Sequence, residues 1–295
     1  MSRFLMGLAA RFPLAILHAL GTLLGWAMYG LSPTYRRHLR DNLEAAGYGK
    51  DARSAAVRRA AIAGAGQMLA ELPAIWLRPA AEVIALVRRV DGREHVDAAR
   101  AAGKGIVFLT PHLGCFEITA KIAADEFPIT VLYRAPKFAW LQPMIEKGRG
   151  QDNVRLARAD LSGVRELLAA LLRKEAVGIL PDQVPGEGEG EWAEYFGRPA
   201  YTMTLAPKLA ARPASVCLLA YGERLPGGQG FVLHIRPLAA AEPGESGTRR
   251  MNRALEALIR ECPGQYLWGY NRYKHPRGAP DQRPRDAPAP EAKTT

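Results

Sequence analysis

The chain has 295 residues, 48% of them hydrophobic, which is enough to bury a large core in one domain with appendages. Its formal net charge of +11 predicts an anionic partner, and the lack of a nucleic-acid-binding motif favours a membrane surface over nucleic acid. The spacings of the three cysteines fit neither a disulfide framework nor a zinc site. This indicates that the protein resides in a reducing compartment.

The long apolar stretch Leu14–Leu31 predicts an N-terminal helix that attaches the chain to a membrane. Eighteen helical residues reach about 27 Å, the lower limit for spanning a bilayer. No small-residue cleavage site precedes the basic segment that follows, so a cleavable signal is disfavoured. Two alternatives stay open, namely a first core helix and an anchor lying in the interface. Residues 1–34 are therefore assigned to a membrane anchor helix.

After this helix the chain alternates between helical and strand patterns. Helices are predicted at 35–46, 51–77 (interrupted near Pro73), 94–102, 115–124, 138–147, 161–174, 202–211 and 249–261, and strands at 106–110, 129–133, 154–156, 176–180, 215–221 and 231–235. Segment 83–90 is predicted to be either a short helix or a strand. This alternation predicts an α/β fold, with a largely parallel central sheet flanked by helices, over residues 35–275. Residues 276–295 have almost nothing to bury and are predicted to be a disordered tail.

One histidine occupies a position where this fold class binds ligands. The apolar strand at 106–110 is ended by Pro111, so His112 lies just past its carboxyl end. Glu117 lies five residues further on, and none of the other five histidines has a carboxylate at that distance. Folded back onto each other, the two side chains would form a general base oriented by an acid. The spacing alone is weak evidence, and a structural histidine is the alternative.

Two further features are candidates for the site: the Asp182-Gln183 pair at another strand end, and Cys115 close to His112. Asp182 and Gln183 follow the strand at 176–180, as His112 follows its own strand, whereas the Gly-Glu repeat after them is predicted to be a solvated loop. Cys115 lies inside the histidine segment and is an alternative nucleophile. Packing in the core is the favoured interpretation of that cysteine.

An ordered set of blocks resembles the bacterial lipid A late acyltransferases, within the lysophospholipid acyltransferase superfamily. The blocks are His112-x4-Glu117, Tyr133-Arg134, Gly148-Arg149, Pro181-Asp182-Gln183, Tyr195-Phe196-Gly197-Arg198-Pro199-Ala200 and Trp268-x3-Arg272-x-Lys274. The resemblance runs from about residue 12 to 274. It implies an amino-terminal membrane helix and an α/β domain on the cytoplasmic face of the inner membrane. It also implies acyl transfer from acyl carrier protein to a Kdo-bearing lipid A precursor.

This reaction assigns roles to the residues of the blocks. Transfer from a thioester to a hydroxyl needs a base for the hydroxyl and donors for the developing oxyanion. His112 is expected to take the proton and Glu117 to hold its tautomer, without a covalent acyl-enzyme, a metal or a cofactor. Arg134 and Arg149 are expected to clamp phosphate groups, with surface pairing as the alternative. Further substrate-binding residues implied by the resemblance are Asp182, Gln183, Phe196 and Gly197.

Three departures from the family pattern leave the exact acceptor and acyl length open. Tyr195 replaces a usual phenylalanine, Val184 replaces a frequent acidic residue, and the segment at 135–137 replaces an asparagine-rich one. One alternative is therefore an acyltransferase for a lysophospholipid or another glycolipid. An alternative of a different class is a non-catalytic lipid-binding protein of the membrane surface that keeps the fold.

Overall fold

A mixed, largely parallel sheet forms the centre of the molecule. The computed structural model describes residues 2–135, 142–150 and 153–281. The strands are β1 (Val87–Asp91), β2 (Gly105–Leu109), β3 (Ile129–Tyr133), β4 (Val154–Arg158), β5 (Ala176–Ile179), β6 (Gly190–Tyr195), β7 (Arg198–Met203), β8 (Ser215–Arg224) and β9 (Phe231–Pro237). Seven of them form one sheet in the order β1-β9-β8-β2-β5-β3-β4, and β6 and β7 form a separate hairpin. Only the β8–β9 pair of the large sheet is antiparallel, which confirms the predicted fold class.

Helices cover both faces of this sheet. They are α1 (Ser2–Ala9), α2 (Leu14–Leu31), α3 (Pro33–Ala45), α4 (Ala52–Leu77), α5 (Ala80–Ile84), α6 (Arg93–Ala101), α7 (Phe116–Glu126), α8 (Gln142–Arg149), α9 (Leu161–Leu172), α10 (Leu205–Ala210) and α11 (Gly247–Glu261). Val107 and Leu109 of β2 belong to the core that includes α9 and α11, whereas Ile106 and Phe108 belong to the core that includes α6 and α7. Because β2 is buried on both faces, its sequence is continuously apolar.

The structure corrects three predicted elements. Helix α4 runs through Pro73 without the predicted interruption. Segment 83–90 contains both alternatives, because α5 ends at Ile84 and β1 begins at Val87. The predicted helix at 202–211 is shorter at its start, since β7 continues to Met203. Residues 138–141 of a predicted helix and 282–295 of the predicted tail lie outside the described ranges.

The apolar helix α2 packs lengthwise against α4. Gly21 and Gly25 face Gly66, and a Cβ atom at Gly66 would overlap the backbone of both, so the glycines permit the close approach. The opposite face of α2 exposes apolar side chains, including Leu20 and Leu23, the latter 68% exposed. Both α2 and α4 are long and apolar enough to cross a membrane, by length and composition alone. Helix α2 therefore has one face in the protein and one apolar face outside it.

Candidate active site

Strand register brings His112 and Asp182 together. Strands β2 and β5 are parallel neighbours in which Leu109 pairs with Ile179. His112 and Asp182 each lie three residues beyond these paired strand ends, and in each case a proline directly precedes the polar residue. Equal offsets from a shared register place the two side chains at the same edge of the sheet. This is the edge at which open α/β sheets bind ligands.

The aspartate contacts His112 twice. The Nδ1 atom of His112 lies 2.8 Å from Oδ1 of Asp182, and the backbone N–H of His112 donates to Oδ2 at 2.9 Å. Because a carboxylate only accepts, this contact assigns the ring proton to Nδ1 and leaves the lone pair on Nε2. The side-chain nitrogen of Gln183 lies 3.1 Å from Nε2, consistent with an amide that donates to this lone pair. The basic nitrogen therefore faces an exposed side chain that can move away.

Asp182 stays ionised in spite of its burial. The residue is 2% exposed, and this burial by itself raises the pKa of the carboxyl group. Attraction to the imidazolium form of His112 and the hydrogen bonds from its ring and backbone outweigh burial and set the pKa of Asp182 below its ordinary value. A buried carboxylate held in this way can stabilise a positive charge that develops on the imidazole.

The expected pairing of Glu117 with His112 is wrong in this structure. Arg149 donates to both carboxylate oxygens of Glu117, through Nε at 3.1 and 2.9 Å and through one terminal nitrogen. Trp76 donates its indole N–H to the same carboxylate at 3.1 Å. The physical reason is that Glu117 lies in the first turn of α7 and its carboxylate engages Trp76 of α4 and Arg149 of α8, while the strand register supplies Asp182 to the histidine. A role for Glu117 in the reaction remains a prediction.

An apolar cavity begins at Phe116, whose ring contacts His112 of the histidine–aspartate pair. The empty space between its wall atoms, counted together with open solvent, is about 920 Å³, and the centre of a water-sized sphere can occupy about 60 Å³ of it. Its walls come from α6, α7 and one face of the sheet. Phe116 and Glu117 line it, and the ring of Phe116 lies 4.7 Å from that of His112. Gly178 on β5 adds no side chain, which leaves room inside. The arrangement places an apolar cavity against Phe116, the side chain that contacts His112.

The C-terminal segment holds the two site loops from outside. The N–H of Leu267 donates to the carbonyl oxygen of His112 at 3.0 Å, and the hydroxyl of Tyr270 accepts the N–H of Val184 at 3.0 Å. Asn42 in turn donates its amide to the carbonyl oxygens of Trp268 and Tyr270. The aromatic block near the C-terminus therefore supports the loops that carry His112 and Asp182.

The predicted substrate residues Arg134, Phe196 and Gly197 are engaged in a surface contact or a turn in the described structure. The side chain of Arg134 is exposed, 3.8 Å from that of Glu189. Phe196 and Gly197 both have positive φ angles and form the two-residue turn of the β6–β7 hairpin, in which Tyr195 pairs with Arg198. The positive φ angle that this turn requires explains why a glycine occupies position 197. Substrate binding by Phe196 and Gly197 remains a prediction.

Cys115 has the environment of a core residue. Burial and the nearby Glu71 carboxylate raise the pKa of its thiol well above the ordinary value. A thiol in this state is a poor nucleophile because the thiolate is the reactive form. The preference for core packing over nucleophilic attack therefore agrees with the environment of this residue.

Sequence reasoning missed two side chains near Glu117 and the pairing of Asp182 with the histidine. Trp76 and Lys121 lie near Glu117, Lys121 one helical turn away, and burial lowers the pKa of this lysine while Glu117 opposes the shift. The sequence contains no local signal for Trp76. The matching proline positions before His112 and Asp182 are a signal that could have paired these two residues.

Fold and site together define an α/β protein with a histidine–aspartate pair at the ends of two parallel strands, beside an apolar cavity. Residues 2–275 match the family described as bacterial lipid A biosynthesis acyltransferase, and the chain belongs to that family. This confirms the resemblance that the ordered blocks indicate.

Curated relatives carry related names. The chain is 29% identical over 226 residues to the lipid A biosynthesis lauroyltransferase of Escherichia coli (strain K12), covering 74% of this chain and 72% of the relative. It is 24% identical over 213 residues to the lipid A biosynthesis palmitoleoyltransferase of the same strain, covering 71% and 68%. It is also 24% identical over 182 residues to a lipid A biosynthesis acyltransferase of Haemophilus influenzae, covering 60% and 56%.

Proposed function

We propose that this protein transfers a fatty acyl chain from acyl carrier protein to a hydroxyl group of a Kdo-bearing lipid A precursor. The observation that carries the proposal is the contact of Asp182 with Nδ1 of His112, which leaves Nε2 basic on a ring that contacts Phe116 of the cavity wall. Membership of the family supports the acyl-transfer chemistry. The names of the relatives support lipid A as the pathway of the acceptor.

In the proposed reaction His112 acts as the general base. Its Nε2 takes the proton of the acceptor hydroxyl while the hydroxyl oxygen attacks the thioester carbonyl carbon. The tetrahedral intermediate then collapses, the carbon–sulfur bond breaks, and His112 returns the proton to the leaving thiolate. Asp182 holds the Nδ1–H tautomer and stabilises the transient imidazolium. The side-chain amide of Gln183 lies 3.1 Å from Nε2, and it is the proposed donor to the developing oxyanion.

The apolar cavity is the proposed site of the acyl chain. Its walls along α7 and the sheet are mostly apolar, and its mouth reaches Phe116, which contacts His112. A chain inside the cavity would leave its thioester end near the base. Burial of each methylene contributes about 0.8 kcal/mol, so the cavity supplies binding energy in proportion to acyl length until it is filled.

The Glu117–Arg149 pair is the proposed support of the cavity mouth. Both side chains line the cavity, and Arg149 and Glu117 are 22% and 7% exposed. The pair holds α7 to α8 at the point where a headgroup would enter. The phosphate-binding role expected for Arg149 would require this arginine to share its donors between Glu117 and the ligand.

Helix α2 is the proposed membrane attachment, with its exposed apolar face toward the lipid. Its other face buries His18, which bonds to Glu71 at 3.0 Å, and a spanning orientation would place this polar pair in hydrocarbon. We therefore propose an in-plane anchor on the cytoplasmic face of the inner membrane. Replacing Leu20 and Leu23 with serine should release protein from membranes at constant salt. Retention equal to the wild type would contradict this mode of attachment.

One experiment tests the proposed reaction directly. Purified protein is mixed with a fatty acyl carrier protein and a detergent-dispersed Kdo-bearing lipid A precursor, and the lipid product is measured by mass spectrometry. We expect one added acyl chain with the wild type and none with His112→Ala. Product from a lysophospholipid but not from the lipid A precursor would favour the other acceptor class. Binding of lipid without any turnover would indicate a non-catalytic protein.

A further inference from the structure

A buried charged cluster lies outside the proposed catalytic pair. It consists of His18 on α2, Glu71 on α4 and Arg224 at the end of β8, and the last two are 1% and 4% exposed. Buried charges are costly unless they are paired and hydrogen-bonded. This cluster joins three elements that are remote in the sequence, and its arginine also reaches the loop that carries His112.

Arg224 connects the carboxylate to the site loop. Its Nε and one terminal nitrogen donate to the two oxygens of Glu71 at 2.8 and 2.7 Å. The same terminal nitrogen donates to the carbonyl oxygen of Gly114 at 2.6 Å. Gly114 lies two residues after His112, has a φ angle of +59°, and donates its own N–H to the carbonyl oxygen of Gln265 at 3.0 Å. Both backbone polar groups of Gly114 are thus held from outside its segment.

His18 holds the carboxylate from the other side. Its Nε2 lies 3.0 Å from the Glu71 oxygen that also accepts from Nε of Arg224. A continuous chain of hydrogen bonds therefore runs from helix α2 through Glu71 and Arg224 to Gly114. Lysine could not reproduce the arginine contacts, because it lacks the planar fork that bonds two carboxylate oxygens at once.

We propose that Arg224 is a positioning residue for His112, and that Glu71 and His18 hold it in place. Helix α2 then acts on turnover through this cluster, in addition to its proposed attachment to the membrane. The proposal rests on the proposed function, because it concerns turnover by His112. A shift of about 1 Å at a catalytic group costs up to about 100-fold in rate, so a loosened Gly114 carbonyl is expected to lower kcat.

Two variants test this positioning, with a matched control. Arg224→Lys keeps the charge and removes the fork, and His18→Leu removes the donor from α2 while keeping an apolar helix. The control is Arg236→Lys, which alters a more exposed arginine on the adjacent strand β9, paired with Glu261. In both test variants we expect kcat to fall about 10- to 100-fold and KM to stay within about twofold. The control should retain both constants.

Amide hydrogen exchange supplies a readout that needs no turnover. Exchange across residues 110–117 should accelerate in Arg224→Lys and in His18→Leu, and it should stay unchanged in the control. His18→Gln keeps a side-chain donor and should restore most of kcat. The double variant should lose no more kcat than Arg224→Lys alone, because His18 acts on the Gly114 carbonyl only through Glu71 and Arg224.

The outcomes separate this proposal from the proposed function. Absence of turnover by the wild type would defeat the proposed function. An active wild type with unchanged kcat and unchanged exchange in folded variants would overturn only the positioning role. If Arg224→Lys fails to fold, His18→Leu decides the question, because it leaves the Arg224–Glu71 pair intact. A rise in KM without loss of kcat would also count against positioning.

Discussion

Replacement of Asp182 by asparagine is expected to disable His112 while preserving the fold. The ring and the backbone N–H of His112 bond to different oxygens of Asp182, and asparagine keeps only one of these two acceptor atoms. If its oxygen keeps the backbone contact, its NH2 group faces Nδ1. The ring then carries its proton on Nε2, and the base is blocked.

The magnitude follows from the contacts that are lost. One hydrogen bond to a charged group contributes about 1.5–3 kcal/mol, and its loss in the transition state lowers the rate about 10- to 100-fold. The wrong tautomer raises the loss toward about 10⁴-fold, the value for the equivalent change in a serine-protease triad. We therefore expect kcat of Asp182→Asn to fall at least about 100-fold. The free energy of unfolding should fall by less than about 3 kcal/mol.

The assay compares Asp182→Asn with Glu117→Gln in steady-state turnover of a fatty acyl carrier protein, with His112→Ala as the inactive reference. Glu117→Gln should lose less kcat, because Glu117 bonds to Arg149 and Trp76 in place of the histidine. A folded Asp182→Asn protein that keeps more than about a tenth of wild-type kcat would refute the assigned role. So would a greater loss of kcat in Glu117→Gln.

The same residue predicts a dependence of stability on pH. The pKa of Asp182 is lower in the folded protein than in the unfolded chain, so ionisation contributes stability above the unfolded value of about 4. That contribution is lost as the pH falls through the lowered folded pKa. The difference in unfolding free energy between wild type and Asp182→Asn should therefore shrink on acidification below about pH 4. A constant difference, measured by urea unfolding from pH 7 to pH 3, would contradict this.

Three further predictions concern neighbouring residues. Cys115→Ala should keep most activity in the same turnover assay, and inactivity of the folded variant would restore the cysteine as a nucleophile. Arg149→Ala should cost about 3–5 kcal/mol in urea unfolding because the buried Glu117 carboxylate loses its arginine partner, and adding Glu117→Gln should recover much of it. No recovery would refute this reason. Gly178→Val should fill part of the cavity and lower kcat/KM for long acyl donors about 10-fold more than for short ones. An equal loss of kcat/KM for donors of every acyl length would place the acyl chain elsewhere.

The central sheet could be predicted because the sequence of each core strand has a recognisable local pattern. Strand β2 is an apolar run ended by a proline, and buried parallel strands have this pattern. The β6–β7 hairpin was harder to predict from the sequence. Its turn uses Phe196 at a positive φ angle, which is uncommon for a residue other than glycine. Helix α4 passes through Pro73 because tertiary packing outweighs the local preference: Ala74 and Ile75 are completely buried.

The sequence predicted which residues belong to the site, but it did not predict which of them contact each other. His112 and Asp182 were both recognised at strand ends, yet the order of strands decides which ends are adjacent. Sequence spacing favoured Glu117 because it is near in the chain, whereas Asp182 is 70 residues away. The cluster of His18, Glu71 and Arg224 shows the same limit, since its contacts join residues 53 and 153 positions apart.

The shared register of β2 and β5 has a consequence for how chain length can change in this family. One extra residue between Leu109 and His112 would move the histidine by about 3.3 Å and turn it away from Asp182. A residue added between Ile179 and Asp182 would do the same to the aspartate. The loop at 186–189, which precedes β6, carries no such constraint, because its two side chains, Glu187 and Glu189, are exposed. We therefore expect insertions and deletions among active relatives to accumulate in that loop and to spare both three-residue connections.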